Sequence, residues 1–74
     1  MSHERETLMN VTGMTCRSCV SHVDRALRGL DGVQAVQVRL QDGTARVTHD
    51  ARQTPVATLI EAVREAGYDA TAAA

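Results

Sequence analysis

Apolar residues recur along this chain with two alternating periods. Met9 and Val11 are interleaved with Asn10 and Thr12, which predicts a strand over residues 6–12 with one apolar face. Val20, Val23, Leu27 and Leu30 follow at i, i+3, i+7 and i+10, the spacing of a helix from Arg17 to Leu30. Asp31-Gly32 is expected to end that helix, since glycine accepts the left-handed backbone that helix C-termini favour. Period two then returns over residues 33–41. Val36, Val38 and Leu40 face one way, and Gln37, Arg39 and Gln41 the other. Asp42-Gly43 marks a hairpin turn, and the return strand over residues 44–49 turns Ala45 and Val47 inward.

Helical spacing comes back after a polar connection over residues 50–53. Thr54 offers a capping hydroxyl and Pro55 a first helical position, and Val56, Leu59, Ile60 and Val63 form the apolar stripe. Gly67 is expected to stop this helix, with a short last strand over residues 68–71. Residues 1–5 and 72–74 read as frayed ends. The element order is strand, helix, strand, strand, helix, strand: two βαβ halves joined by a hairpin. Each element has one apolar face, so the economical packing is an α+β domain. Its antiparallel four-stranded sheet would carry both helices on one side.

Composition limits what such a domain does. Seventy-four residues make one small domain spanning 1–74. Tyr68 is the only aromatic, so the core must be built from aliphatic residues and methionine. A net charge of −1 without a basic, aromatic-studded stripe argues against nucleic-acid binding. No apolar run is long enough for a membrane span. The polar start, Met1 to Glu6, shows no apolar leader segment, so the expected location is the cytoplasm, where thiols stay reduced.

Both cysteines lie in Gly13-Met14-Thr15-Cys16-Arg17-Ser18-Cys19, between the first strand and the first helix. Two thiols at a helix start can converge on one ion, and the positive end of the helix favours thiolate over thiol. Thiolate sulfur is a soft ligand that selects ions such as Cu(I) and Hg(II). A closed structural zinc site needs four ligands, and the chain has no second cysteine pair to complete one. Two-coordination leaves the ion open to a third thiolate, so transfer can proceed by ligand exchange without releasing free metal.

These seven residues, followed by a helix in a βαββαβ chain, resemble the heavy-metal-associated domain, and the likeness runs from Leu8 to Ala70. That family includes copper chaperones, the N-terminal domains of copper-transporting P-type ATPases, mercury-binding transport proteins and the N-terminal domain of mercuric reductase. The resemblance implies a ferredoxin-like fold, metal ligation by Cys16 and Cys19, and a site supported by Met14, Thr15 and Tyr68. Met14 matches a methionine that packs under the loop, and Tyr68 matches the tyrosine of bacterial members. The function implied is soft-metal binding and transfer, with Cu(I) as the first cargo. The acceptor would be a metal-transporting ATPase or another metal-accepting protein. Such a carrier would be monomeric without metal, and a metal ion could bridge two copies.

Competing readings stand beside this one. His22-Val23 after the cysteines, the Gly43-Thr44-Ala45 turn and the alanine-rich tail are similar to the mercuric reductase domain, with Hg(II) as the cargo. A thioredoxin-like dithiol oxidoreductase would recruit Pro55 as its substrate-binding proline. Against it, Pro55 opens a helix, no proline separates the cysteines and no aromatic precedes Cys16. Met14 reads as core filler rather than a third ligand. His22 reads as a solvated side chain, and His49, on the inward phase of its strand, as a satisfied polar contact. Arg17, Arg25 and Arg28 outnumber Asp24 on the exposed side of the first helix. They make either a solvated face or a basic rim for an acidic partner.

Overall fold

The computed structural model describes residues 4–73. In chain order the elements are β1 (Glu4–Thr12), α1 (Arg17–Arg28), β2 (Val33–Arg39), β3 (Thr44–Asp50), α2 (Val56–Glu65) and β4 (Asp69–Ala72). The four strands form one antiparallel sheet in the order β2-β3-β1-β4. The two βαβ halves therefore interlock: β3 lies between β1 and β2, and β1 lies between β3 and β4. β1 is a central strand, and the cysteine loop leaves directly from its end.

Inward positions of the sheet meet the stripes of both helices in a single core. Met9, Val11, Val36, Ala45, Val47 and Ala70 from the strands pack with Val23 and Leu27 of α1 and Leu59 and Val63 of α2. One cluster fed by both helices places them on one face of the sheet, as the alternation of β1 and β3 requires. Among the described residues, no helix is long and apolar enough to cross a membrane.

Several boundaries differ from expectation, each for a physical reason. β1 begins at Glu4, because Glu4 and Arg5 pair with Asp50 and His49 of β3. Residues 1–3 of the expected lead-in, and Ala74, lie outside the described residues. At the other end Ala72 pairs with Met9, and the Ala73 N–H donates to the Leu8 carbonyl at 2.8 Å, so the ladder takes up part of the alanine tail. α1 stops at Arg28 rather than Leu30. The N–H of Leu30 reaches back only three residues to Leu27, a tightened final turn, and Gly32 (φ +88°) carries the reversal that follows. Leu40 does not face the core: it opens the four-residue turn closed by Gly43 N–H to its carbonyl (3.2 Å) and is 37% exposed.

Thr54 also departs from its expected role. Its hydroxyl donates to the Asp31 carbonyl, 23 residues away in sequence, and Pro55 occupies the N-cap of α2. Gly32 must be glycine for this contact, since a Cβ there would lie 2.8 Å from Thr54 Oγ1. The end of α2 behaves as expected. Gly67 (φ +99°) and Tyr68 donate to the carbonyls of Arg64 (3.0 Å) and Val63 (3.2 Å), the paired bonds of a Schellman motif. That motif fixes the backbone from which the Tyr68 ring projects.

Candidate metal centre

β1 ends at Thr12, and Gly13 (φ +93°) turns the chain into the loop, a conformation that a side chain would strain. Met14 is 8% exposed and belongs to the core cluster, so it anchors the loop from beneath. Cys16 is the N-cap of α1 with extended backbone, and its carbonyl accepts from the N–H groups of Cys19 (3.1 Å) and Val20 (3.3 Å). Cys19 therefore stands in the first turn, among the unpaired amides at the positive end of the helix.

The two sulfurs lie 2.9 Å apart, as free thiols rather than a disulfide. Cys16 is exposed and Cys19 half-buried. The Cys19 thiol is lowered to about 6, first by the hydrogen bond from Cys16, then by one from the Tyr68 hydroxyl, then by the backbone at Thr15. Tyr68 is pushed up to about 12, mainly because its hydroxyl donates to Cys19, with burial and the nearby cysteine charges adding to the effect. Near neutral pH the centre is thus a Cys19 thiolate that accepts hydrogen bonds from two sides. A thiolate paired with an adjacent exposed sulfur is a soft, two-point ligand set.

Among the described residues no group of three or more His, Cys, Asp or Glu converges on a common point. The dithiol is therefore without a clustered third or fourth ligand of those types among these residues, unlike a structural zinc site. Pro55 lies at the other end of the molecule, beside the Thr54–Asp31 contact, and so cannot serve as a substrate-binding proline for the cysteines. His49 is fully buried and saturated: Nδ1–H donates to the Thr54 carbonyl (2.7 Å) and Nε2 pairs with the Thr7 hydroxyl (2.7 Å). Arg28 is held by Asp24 (2.9 Å) and the Val36 carbonyl (2.9 Å), which leaves Arg17 and Arg25 as the basic side chains of the α1 rim.

One contact was not anticipated. His22 is exposed, as its helical phase predicts, but its Nδ1 lies 3.4 Å from the Tyr68 hydroxyl. The signal available in sequence was its i+3 position from Cys19, which puts the two side chains on neighbouring rows of the helix.

A small α+β sandwich that carries a CxxC sulfur pair at the start of its first helix defines a class of soft-ion-binding domains. The model of the heavy-metal-associated domain matches residues 8–69, and the chain belongs to that family. Mercuric reductase of Acidithiobacillus ferrooxidans is 43% identical over 68 residues, which are 92% of this chain but 12% of the reductase. The copper chaperone CopZ of Staphylococcus aureus (strain bovine RF122 / ET3-1) is 36% identical over 64 residues, covering 86% of this chain and 94% of the chaperone. The crystal structure of a copper-binding domain from HMA7, a P-type ATPase, superposes with a TM-score of 0.93. It is 33% identical, with 95% of each chain covered.

Proposed function

We propose that this domain is a non-enzymatic carrier of a soft metal ion in the cytoplasm. Cys16 and Cys19 are its ligands, and Cu(I) is its first cargo. The observation that carries the reading is the pair of sulfurs 2.9 Å apart at the protein surface, one of them held as thiolate. With bonds of the zinc–thiolate length, about 2.3 Å, a linear ion would stand between sulfurs about 4.6 Å apart. Loading therefore spreads the pair from 2.9 Å by about 1.7 Å, and the exposed Cys16 side chain has the room to move. Met14 fixes the loop from the core, Thr15 supplies backbone polarity to Cys19, and the Tyr68 hydroxyl steadies the thiolate. The open side of the ion admits a third thiolate, and the acceptor is a metal-transporting P-type ATPase or another metal-accepting protein. Similarity to CopZ and to the copper-binding ATPase domain supports Cu(I). Similarity to mercuric reductase supports Hg(II) as the alternative cargo on the same two sulfurs.

Anaerobic competition titrations with Cu(I) and with Hg(II) test this reading. Structural zinc sites gain about 10–16 kcal/mol from four ligands, about 3 kcal/mol each. Cys16→Ala or Cys19→Ala should therefore weaken the bound ion by on the order of a hundredfold or more. Unchanged affinity in either variant would remove that cysteine from the ligand set. Whichever ion the intact pair retains against the stronger competitor is the one that the two sulfurs hold more tightly.

A further inference from the structure

We propose that Arg28 guards the free edge of β2: its guanidinium occupies the Val36 carbonyl and so keeps β2 from pairing with β2 of a second copy of this chain. The inference goes beyond the carrier reading and does not depend on it. Which backbone groups are free follows from the ladders. The Val11 N–H donates to the Gly43 carbonyl (2.7 Å), and directions alternate along a strand, so Ala45, Val47 and His49 turn their backbone groups to β1. Thr44, Arg46, Thr48 and Asp50 turn theirs to β2, in keeping with the bond from the Asp50 N–H to the Gly32 carbonyl (2.8 Å). Val36 and Val38 stand opposite Val47 and Ala45, so their own N–H and C=O groups point away from β3, along the open edge of the sheet. Arg28 meets that edge. Its Nη2–H donates to the Val36 carbonyl at 2.9 Å, while its Nε–H is held by Asp24 at 2.9 Å.

The two edges of the sheet explain why β2 is the one guarded. β4 has four residues and opens on the charge of Asp69, whereas β2 has seven and carries neither charge nor proline before Arg39. A long uncharged edge is a template for another strand. The bulge between Val33 and Ala35 interrupts the first part of β2, which leaves Val36 and Val38 as the groups an incoming strand would use. The occupant they fit is the same strand of a second copy, antiparallel about a two-fold axis at Gln37. Val36 then faces Val38 of the other copy, and the reverse, each pair exchanging both of its N–H···O bonds. Arg39 falls opposite Ala35, so no like charges meet. With Arg28 in place, its guanidinium takes the position of the incoming Val38 N–H and its bulk holds the strand off.

Sedimentation of the metal-free, reduced protein over a concentration series tests this, with no ion present to bridge two copies. The parent should sediment as a monomer. Arg28→Met keeps an apolar stem and loses the donors. It also removes one positive charge, taking the net charge from −1 to −2, which by itself opposes association. The variant should nevertheless dimerise, with a dissociation constant at least about tenfold below the parent's, the size of one charge-assisted hydrogen bond. In that dimer the Val36 and Val38 amides should exchange hydrogen more slowly as concentration rises. Adding Ala35→Lys, which sets a positive charge against Arg39 of the other copy, should return the variant to monomer. Arg28→Lys keeps the charge but lacks the fork that spans Asp24 and the Val36 carbonyl, and should give a smaller shift. It carries the test if circular dichroism melts show Arg28→Met to be unfolded. A folded Arg28→Met protein that associates no more than the parent would overturn the proposal. So would a dimer whose Val36 and Val38 amides stay in fast exchange, or a parent that pairs through β2 with Arg28 in place.

Discussion

Two polar clusters sit at opposite ends of β1 and treat their titratable groups in opposite ways. At the end that pairs with β3, His49 is sealed in the core with a partner on each ring nitrogen: the Thr7 hydroxyl and the Thr54 carbonyl. At the end that leads into α1, Cys16 and Cys19 have one another, the Tyr68 hydroxyl and backbone dipoles, and one sulfur stays open to solvent. Saturation turns a chemically versatile imidazole into a structural strut that ties β1, β3 and the start of α2 together. Incomplete partnering at the surface leaves sulfur available to an ion. The contrast assigns function by counting partners rather than by residue type.

The largest effect that would break this contrast lies at the saturated end. His49→Leu leaves the Thr7 hydroxyl and the Thr54 carbonyl buried without partners, at about 1–3 kcal/mol each. A loss of about 3 kcal/mol should lower the melting temperature by about 15 °C in a domain this small, while metal affinity at the far end of β1 stays unchanged. A melt within a few degrees of the parent would mean that the His49 bonds contribute little. A parallel fall in metal affinity would mean that the two ends are not independent.

A smaller effect sharpens the open end. Tyr68→Phe removes one of the hydrogen bonds that hold Cys19 as thiolate. Its value should rise above about 6, followed by ultraviolet thiolate absorbance against pH. The sign for metal binding follows directly. Above about pH 6 the ion displaces no proton from Cys19; below it, proton competition at that sulfur weakens binding by about tenfold per unit. In the Tyr68→Phe variant the onset of that weakening should move to higher pH with it. An onset that does not move would show that Tyr68 has no part in holding the thiolate.

Much of this molecule was legible before its structure. Alternation at Met9, Val11, Ala45 and Val47 gave the inward face, and helical spacing at Val23, Leu27, Leu59 and Val63 gave what covers it. The inward phase of His49 marked it as a polar core residue, though not its partners. What stayed hidden was long-range or geometric. Period two continues through Leu40 because a pattern of side chains does not record where the ladder of backbone bonds stops. Thr54 before Pro55 carries the local signature of a helix cap, and a distant carbonyl at Asp31 outcompeted that role. At the site, the cysteine spacing was explicit, but the His22–Tyr68 contact joins residues 46 apart and exists only once α1 and β4 are both in place.

X-ray absorption at the metal edge, on protein loaded below one equivalent, tests the central assignment most directly. Two sulfur scatterers, with no nitrogen or oxygen shell, are the predicted result. A spectrum in which nitrogen or oxygen replaces either sulfur would contradict ligation by the Cys16–Cys19 pair.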